Sequence, residues 1–190
     1  GWALNQEVGR GPVCIETAPA PIDIEGLSLQ ILSPDLAHLK TLRDAWDDWR
    51  TADAIKEAAK KRREDAAAAG VQIMGRKPMP EVLDIDTLCG PTPIDSEPPN
   101  GSSIAFLGEW QGRRVLMAGD AHPDLLEETN APLAAKEGGQ PRVDLFKISH
   151  HGSHGNVTRG LLQLVDCRRF LLSTNGSIHG HPDPEAIARI

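Results

Sequence analysis

Four short apolar runs, Ser103–Trp110, Arg113–Ala118, Arg142–Ser149 and Arg168–Ser173, alternate with helix starts and constrain this chain more than any other feature. Runs of this length bounded by turn residues read as strands. Gln111-Gly112 joins the first two as a tight hairpin. Helices are predicted from Pro123-Asp124-Leu125-Leu126, interrupted at Asn130 and Pro132, from about Thr158 to Asp166, and from Asp183-Pro184-Glu185. Strands interleaved with helices place the chain in the α/β class.

Upstream, Leu27 to Leu32 alternates apolar and polar residues as a half-buried strand does, and Ser33-Pro34-Asp35 supplies a helix start with Ser33 as N-cap. Leu36, Leu39, Leu42, Ala45, Trp46 and Trp49 then give that helix one apolar face. Residues 1–25, with Pro12, Pro19 and Pro21, read as extended chain and turns. From Thr51 to Ala69 the pattern stays helical but highly charged, with Lys56, Lys60, Lys61, Arg62 and Arg63 against Glu57, Glu64 and Asp65, and Gly70 ends it. Such a stretch reads as a solvated helix or extended insertion. Six prolines between Val71 and Pro99 predict a surface loop. The expected organisation is therefore 1–50 with 100–190 as one unit, and 51–99 as insertion and loop.

No apolar run approaches the roughly 18 residues of a membrane helix, and no secretory leader pattern is present, so the expected compartment is the cytoplasm. Cys14, Cys89 and Cys167 are odd in number and far apart, which argues against a disulfide framework or a cysteine zinc site and for buried thiols. The net charge of −7 disfavours unspecific adhesion to nucleic acid, though not a nuclease whose metal ions supply positive charge. The start at Gly1-Trp2, with no initiator Met, reads as that of a fragment or a processed chain, which is the expectation from the sequence.

Six of the seven histidines lie between His122 and His181, most of them at strand ends or in glycine-rich turns. His38, on the leucine helix, stands apart and reads as structural. His150-His151 closes an apolar strand ahead of Gly152-Ser153, and Asp120 holds an equivalent place on another strand. A carboxylate and an imidazole at neighbouring strand ends can share a divalent metal, with zinc at roughly 2.0–2.2 Å from each donor.

The ordered series Asn100-Gly-Ser-Ser-Ile, Leu116-Met-Ala-Gly-Asp120, Lys147-Ile-Ser-His-His151-Gly-Ser, Ser173-Thr-Asn-Gly176 and His181-Pro182 resembles the C-terminal half of metallo-β-lactamase-fold hydrolases. It is most similar to the branch containing the metallohydrolase domain of the bacterial competence protein ComEC. The resemblance covers residues 100–190 well and 27–49 loosely. It implies an αββα sandwich, two mixed sheets between helices, of which this chain supplies the second half. It also implies that Asp120 is an acid bridging two metals and His151 a metal ligand, with zinc the expected ion and manganese the alternative. His150 is expected to touch the bound phosphate or ester oxygen or to orient a ligand, and His181 to contact substrate. Ser153, Asn100 and Asn175 are expected to hold loops, and His122, His154 and His179 to stay outside the direct ligand set.

The family's HxHxDH signature is missing from the sequence, and no histidine pair precedes Asp120 to replace it. The resemblance therefore implies that the first half of the domain is a separate polypeptide, was removed, or is not part of this sequence, and that the chain binds metal poorly without it. The expected function is a metal-dependent phosphodiesterase or nuclease active only with that half, with DNA as a candidate partner and no membrane involvement. The alternatives are a thioester or lactone hydrolase on the same fold, and a cleaved half-domain with a regulatory, non-catalytic role.

Overall fold

The computed structural model describes Gly9, Gly176 and residues 11–50, 84–174 and 180–190. The predicted charged helix over 51–69, the first part of the proline-rich stretch (71–83), Asn175 and His179 lie outside the described residues, as do the side chains of residues 47–50, Trp49 included.

The strands are β1 (Ile22–Ile24), β2 (Leu27–Ser33), β3 (Ala105–Trp110), β4 (Arg113–Met117), β5 (Arg142–Val143), β6 (Leu145–Lys147), β7 (Asp166–Cys167) and β8 (Phe170–Leu171). Six of them form a mixed sheet in the order β1-β2-β3-β4-β6-β8, and β5 with β7 forms a two-stranded parallel ladder. The first three pairings of the large sheet are antiparallel; β4 with β6 and β6 with β8 are parallel. The helices are α1 (Leu36–Arg50), α2 (Ile85–Leu88), α3 (Pro98–Gly101), α4 (Pro123–Glu137), α5 (Arg159–Gln163) and α6 (Pro184–Arg189). Among the described residues this is an α/β architecture, and no helix is long and apolar enough to cross a membrane.

The hairpin between β3 and β4 follows from its two turn residues. Gln111 and Gly112 both take positive φ, 48° and 72°, the twist of a turn that matches antiparallel strands. Alternation then sorts the side chains. Leu32, Leu107, Leu116, Phe146 and Ile148 are buried together with Leu126, Leu161 and Ala186 of α4, α5 and α6. Each large apolar side chain sealed there contributes about 1.5–3 kcal/mol. Ile31 faces the other way, onto Ala18, Val13, Ile15, Ile22 and Phe106, so residues 13–22 cover the antiparallel end of the opposite face.

Several local expectations change. The register of β2 against β3 shifts between Ile31 and Ser33, and the Ser33 hydroxyl donates to the Ser103 carbonyl at 2.8 Å. Ser33 is thereby unavailable as an N-cap, and Asp35 caps α1 instead, its carboxylate accepting from the His38 amide at 2.7 Å. The apolar stripe of α1 is only half covered, with Leu36 and Trp46 exposed. Helix α4 does not break at Asn130 or Pro132. Asn130 is buried and its amide donates to the Leu126 carbonyl at 2.8 Å, while Thr129 donates to the Leu32 carbonyl of β2 at 3.0 Å. Tertiary anchoring of one turn carries the helix through the proline. The run at Arg142–Ser149 divides at Asp144, whose amide donates to the Arg114 carbonyl at 2.8 Å, giving β5 and β6 different partners.

Candidate metal and proton-transfer site

Parallel pairing places Met117 of β4 opposite Lys147 of β6, so the chain leaves both strands at the same edge of the sheet. Carboxyl ends of adjacent parallel strands are where α/β proteins collect functional side chains. Asp120 follows β4 by three residues, and His150 and His151 follow β6 by three and four. The Asp120 amide donates to the Ser103 hydroxyl at 3.0 Å, and Lys147 donates to the Gly119 carbonyl at 3.1 Å. Burial pushes the Lys147 ammonium below the usual lysine range, the nearby Asp120 carboxylate opposing it only in part.

The turn after β6 is strained. His150 (φ 41°, ψ 50°) and His151 (φ 57°, ψ 18°) are consecutive non-glycine residues in left-handed backbone, a conformation disfavoured by about 1–2 kcal/mol per residue. Three hydrogen bonds hold it: His150 N–H to the Gly119 carbonyl at 3.0 Å, Ser153 N–H to the His150 carbonyl at 2.9 Å, and the Ser149 hydroxyl to the Ala121 carbonyl at 2.9 Å. Strain kept in place by its surroundings belongs to functional turns.

The result is convergence of the four residues singled out from the sequence. His151 Nε2 lies 4.0 Å from Asp120 Oδ1, both side chains partly exposed. His151 Nδ1 lies 2.6 Å from the Ser173 carbonyl. A carbonyl can only accept, so Nδ1 carries the proton and Nε2 presents its lone pair. The His150 ring is 6.0 Å from that of His151 and 5.5 Å from that of His181.

Behind these rings stand residues that sequence reasoning did not single out. His150 Nδ1 lies 3.1 Å from Asn156 Oδ1. Asn156 and Asn100 both donate to Asp95 Oδ2 at 2.8 Å. Burial pushes the Asp95 carboxyl up, but the Glu97 amide, the two side-chain amides and the charge of His122 outweigh it and hold it below the usual carboxylate range. Asp183, expected only at a helix start, is buried, and its carboxylate accepts from the His154 amide at 2.9 Å and ring at 2.7 Å and lies 3.4 Å from His181 Nδ1. Burial raises its pKa too, and the His154 hydrogen bonds with the charges of His181 and His154 overcome that and lower it. Asp95 had no local signal, lying among prolines; Asp183 had one, its place two residues after His181.

The remaining histidines fall into supporting places. His122, buried, donates from Nε2 to the Glu97 carbonyl at 3.1 Å. His38 is paired with Asp35 at 2.7 Å and packs edge-on to His122 at 5.3 Å. Asn100 holds a loop, as expected, through Asp95. Ser153 supports the turn through its backbone.

No family model, no curated protein and no solved structure matches this chain.

The donor set suits part of a metal site. Two ligands about 2.1 Å from one tetrahedral ion lie about 3.4 Å apart, so a small closure of the Asp120–His151 pair would accommodate an ion. Among the described residues no group of three or more His, Cys, Asp and Glu side chains is arranged to hold a metal.

Proposed function

We propose that this chain is the second half of a metallo-β-lactamase-type sandwich and acts as a metal-dependent hydrolase, with Asp120 and His151 as ligands to zinc or manganese. The observation that carries the reading is the 4.0 Å approach of His151 Nε2 to Asp120, with the Nδ1 proton engaged by the Ser173 carbonyl. Metal-bound histidines characteristically donate their other N–H in this manner.

A bound divalent ion lowers the pKa of coordinated water toward about 7 and stabilises charge on the attacked centre. The chain's own residues supply orientation and proton handling. His150, backed by Asn156, presents Nε2 to accept a proton from, or as imidazolium return one to, an oxygen of the substrate. His181, beside Asp183, contributes substrate contact from the facing loop. Lys147, half-buried next to Asp120, adds positive charge to an otherwise acidic chain. The resemblance to the ComEC-like branch favours a phosphodiester, hence a nuclease acting on DNA. Two ligands fall short of the three or four of a working site, so the rest come from the other half of the domain, and activity requires it.

The test is hydrolysis of a phosphodiester and of a thioester by the protein purified from its native cells with whatever polypeptide accompanies it, in the presence of zinc or manganese. Metal-dependent phosphodiester cleavage that disappears in Asp120→Ala supports the reading. Cleavage of the thioester alone replaces the substrate class. Failure to cleave either leaves a regulatory half-domain and refutes the hydrolase.

A further inference from the structure

The segment ahead of α3 is tied to the His150 turn by a chain of contacts more elaborate than loop packing needs. The Asp95 amide donates to the Gly155 carbonyl at 3.1 Å, and the Thr92 hydroxyl donates to the His154 carbonyl at 3.0 Å. Arg189 of α6 clamps both strands of this contact, donating to the His154, Val157 and Gly90 carbonyls at 2.7–2.8 Å and to the Thr92 hydroxyl at 3.0 Å. What the clamp presents is one carboxylate. The side chain of Asp95 is 9 % exposed and its Oδ2 lies 3.4 Å from His150 Nδ1.

That carboxylate has a directional consequence. An ionised carboxylate only accepts, so each amide beside it must turn its NH₂ group toward it. Asn156 does so at 2.8 Å, its NH₂ also lying 3.4 and 3.5 Å from the Asp120 and Ala121 carbonyls, and because the NH₂ is committed there, with the carboxylate its nearest acceptor, its carbonyl oxygen is left facing His150 Nδ1 at 3.1 Å. An amide oxygen also only accepts, as does Asp95 Oδ2 3.4 Å from the same nitrogen, and together they favour the proton on His150 Nδ1 over acceptance there from the Asn100 amide nitrogen, 3.4 Å away. Its Nε2 lone pair is then exposed on the far edge of the ring, in the company of His151 and His181. Asn156 is fully buried, which removes water as a competing partner. Asn100 donates to the same carboxylate oxygen at 2.8 Å and fixes it from the other side.

From this arrangement we infer that Asp95 is a positioning residue that sets the orientation of the Asn156 amide and, through it, the Nδ1–H tautomer of His150. The inference rests on the proposed role of His150 for its functional meaning: a neutral His150 in this tautomer can take a proton at Nε2, and in the other tautomer it cannot. The tautomer itself is a property of the folded chain and needs neither metal nor substrate.

The experiment is long-range proton–nitrogen correlation NMR on the ¹⁵N-labelled full chain, which distinguishes the two tautomers of each neutral histidine. The wild type should give His150 as the Nδ1–H form. Asp95→Asn keeps the shape but can present NH₂ or oxygen to Asn156, so the amide keeps only the weaker pull of the Asp120 and Ala121 carbonyls, and the preference, about tenfold for one hydrogen bond, should fall severalfold. Asn156→Ala keeps the Asp95 carboxylate but removes the amide through which it acts, and the Nδ1–H preference should fall there as well; a preference kept in Asn156→Ala would overturn the relay. An Nε2–H tautomer in the wild type, or an undiminished Nδ1–H preference in Asp95→Asn, overturns the inference. If Asp95→Asn fails to fold, the wild-type tautomer and Asn156→Ala decide it. A wild-type Nδ1–H signal without hydrolysis would instead refute the proposed function and leave the positioning intact.

Discussion

Replacing Gly152 by alanine tests whether the backbone after β6 is pinned as tightly as the site requires. Gly152 has a φ of +85°, and a Cβ there would lie 2.8 Å from the Pro182 Cβ, 3.0 Å from the Leu172 Cδ2 and 3.3 Å from the Pro182 Cα. Two penalties add. Left-handed backbone disfavours any L side chain by about 1–2 kcal/mol. The clash involves a proline ring and its backbone, which no rotamer change relieves, and overpacking of this kind is destabilising by about 1–3 kcal/mol. The sum is about 2–5 kcal/mol. Gly112 separates the two contributions, since it has a φ of +72° and nothing within 4 Å of its would-be Cβ. Gly112→Ala should therefore lose only the first part. Urea unfolding followed by circular dichroism measures both, and the difference between the variants should be about 1–3 kcal/mol. Equal losses would refute the contact with Pro182, and a Gly152→Ala chain within about 0.5 kcal/mol of wild type, the range of ordinary surface changes, would refute the whole argument.

Three further outcomes follow from the residues around the site. The lowered pKa of Asp183 means that its ionised form stabilises the fold above the ordinary carboxyl value of 3.8, and that this contribution is lost as pH falls below that value through the folded pKa. Asp183→Asn should therefore flatten the acid limb of a stability-against-pH curve, and an unchanged limb would contradict the assignment. Arg189→Met removes four donated hydrogen bonds and should lower stability by about 2 kcal/mol while speeding hydrogen exchange at the Asp95 amide; unaltered exchange there would show that the clamp does not hold that segment. Thr158→Ala removes the cap on α5, where the hydroxyl accepts from the Leu161 amide at 3.0 Å, and should be destabilising by about 1 kcal/mol in the same unfolding assay; no loss would mean the cap is idle.

Much of the fold could be read from residues acting locally. Gln111-Gly112 dictates its hairpin, and Asp183-Pro184 opens α6 as proline at a first helical position does; Leu27–Leu32 forms its strand, but is covered on both faces at its end, Leu32 in the main core and Ile31 under residues 13–22. Expectations failed where a distant partner took over a residue's polar group. Ser33 reads as a cap until the bulge in β2 sends its hydroxyl to Ser103. Asn130 and Pro132 read as a break until the neighbouring Thr129 hydroxyl reaches the Leu32 carbonyl of β2 and anchors that turn. The candidate site divides in the same way. Asp120, His150, His151 and His181 lie at strand ends and turns, where chemistry is visible in sequence, and they converge. Asp95 and Asn156 act across 61 positions, and nothing in the residues flanking Asp95 announces a contact of that separation.

The central claim is that Asp120 and His151 are ligands of one metal site. Its most direct test is calorimetric titration of zinc and manganese into the full chain, with metal content read by mass spectrometry, for the wild type, Asp120→Ala, His151→Ala and His38→Ala. Binding by the wild type is expected, weak because two ligands fall short of a working site, with its loss in both Asp120→Ala and His151→Ala and its retention in His38→Ala. Unchanged binding in both Asp120→Ala and His151→Ala would contradict it.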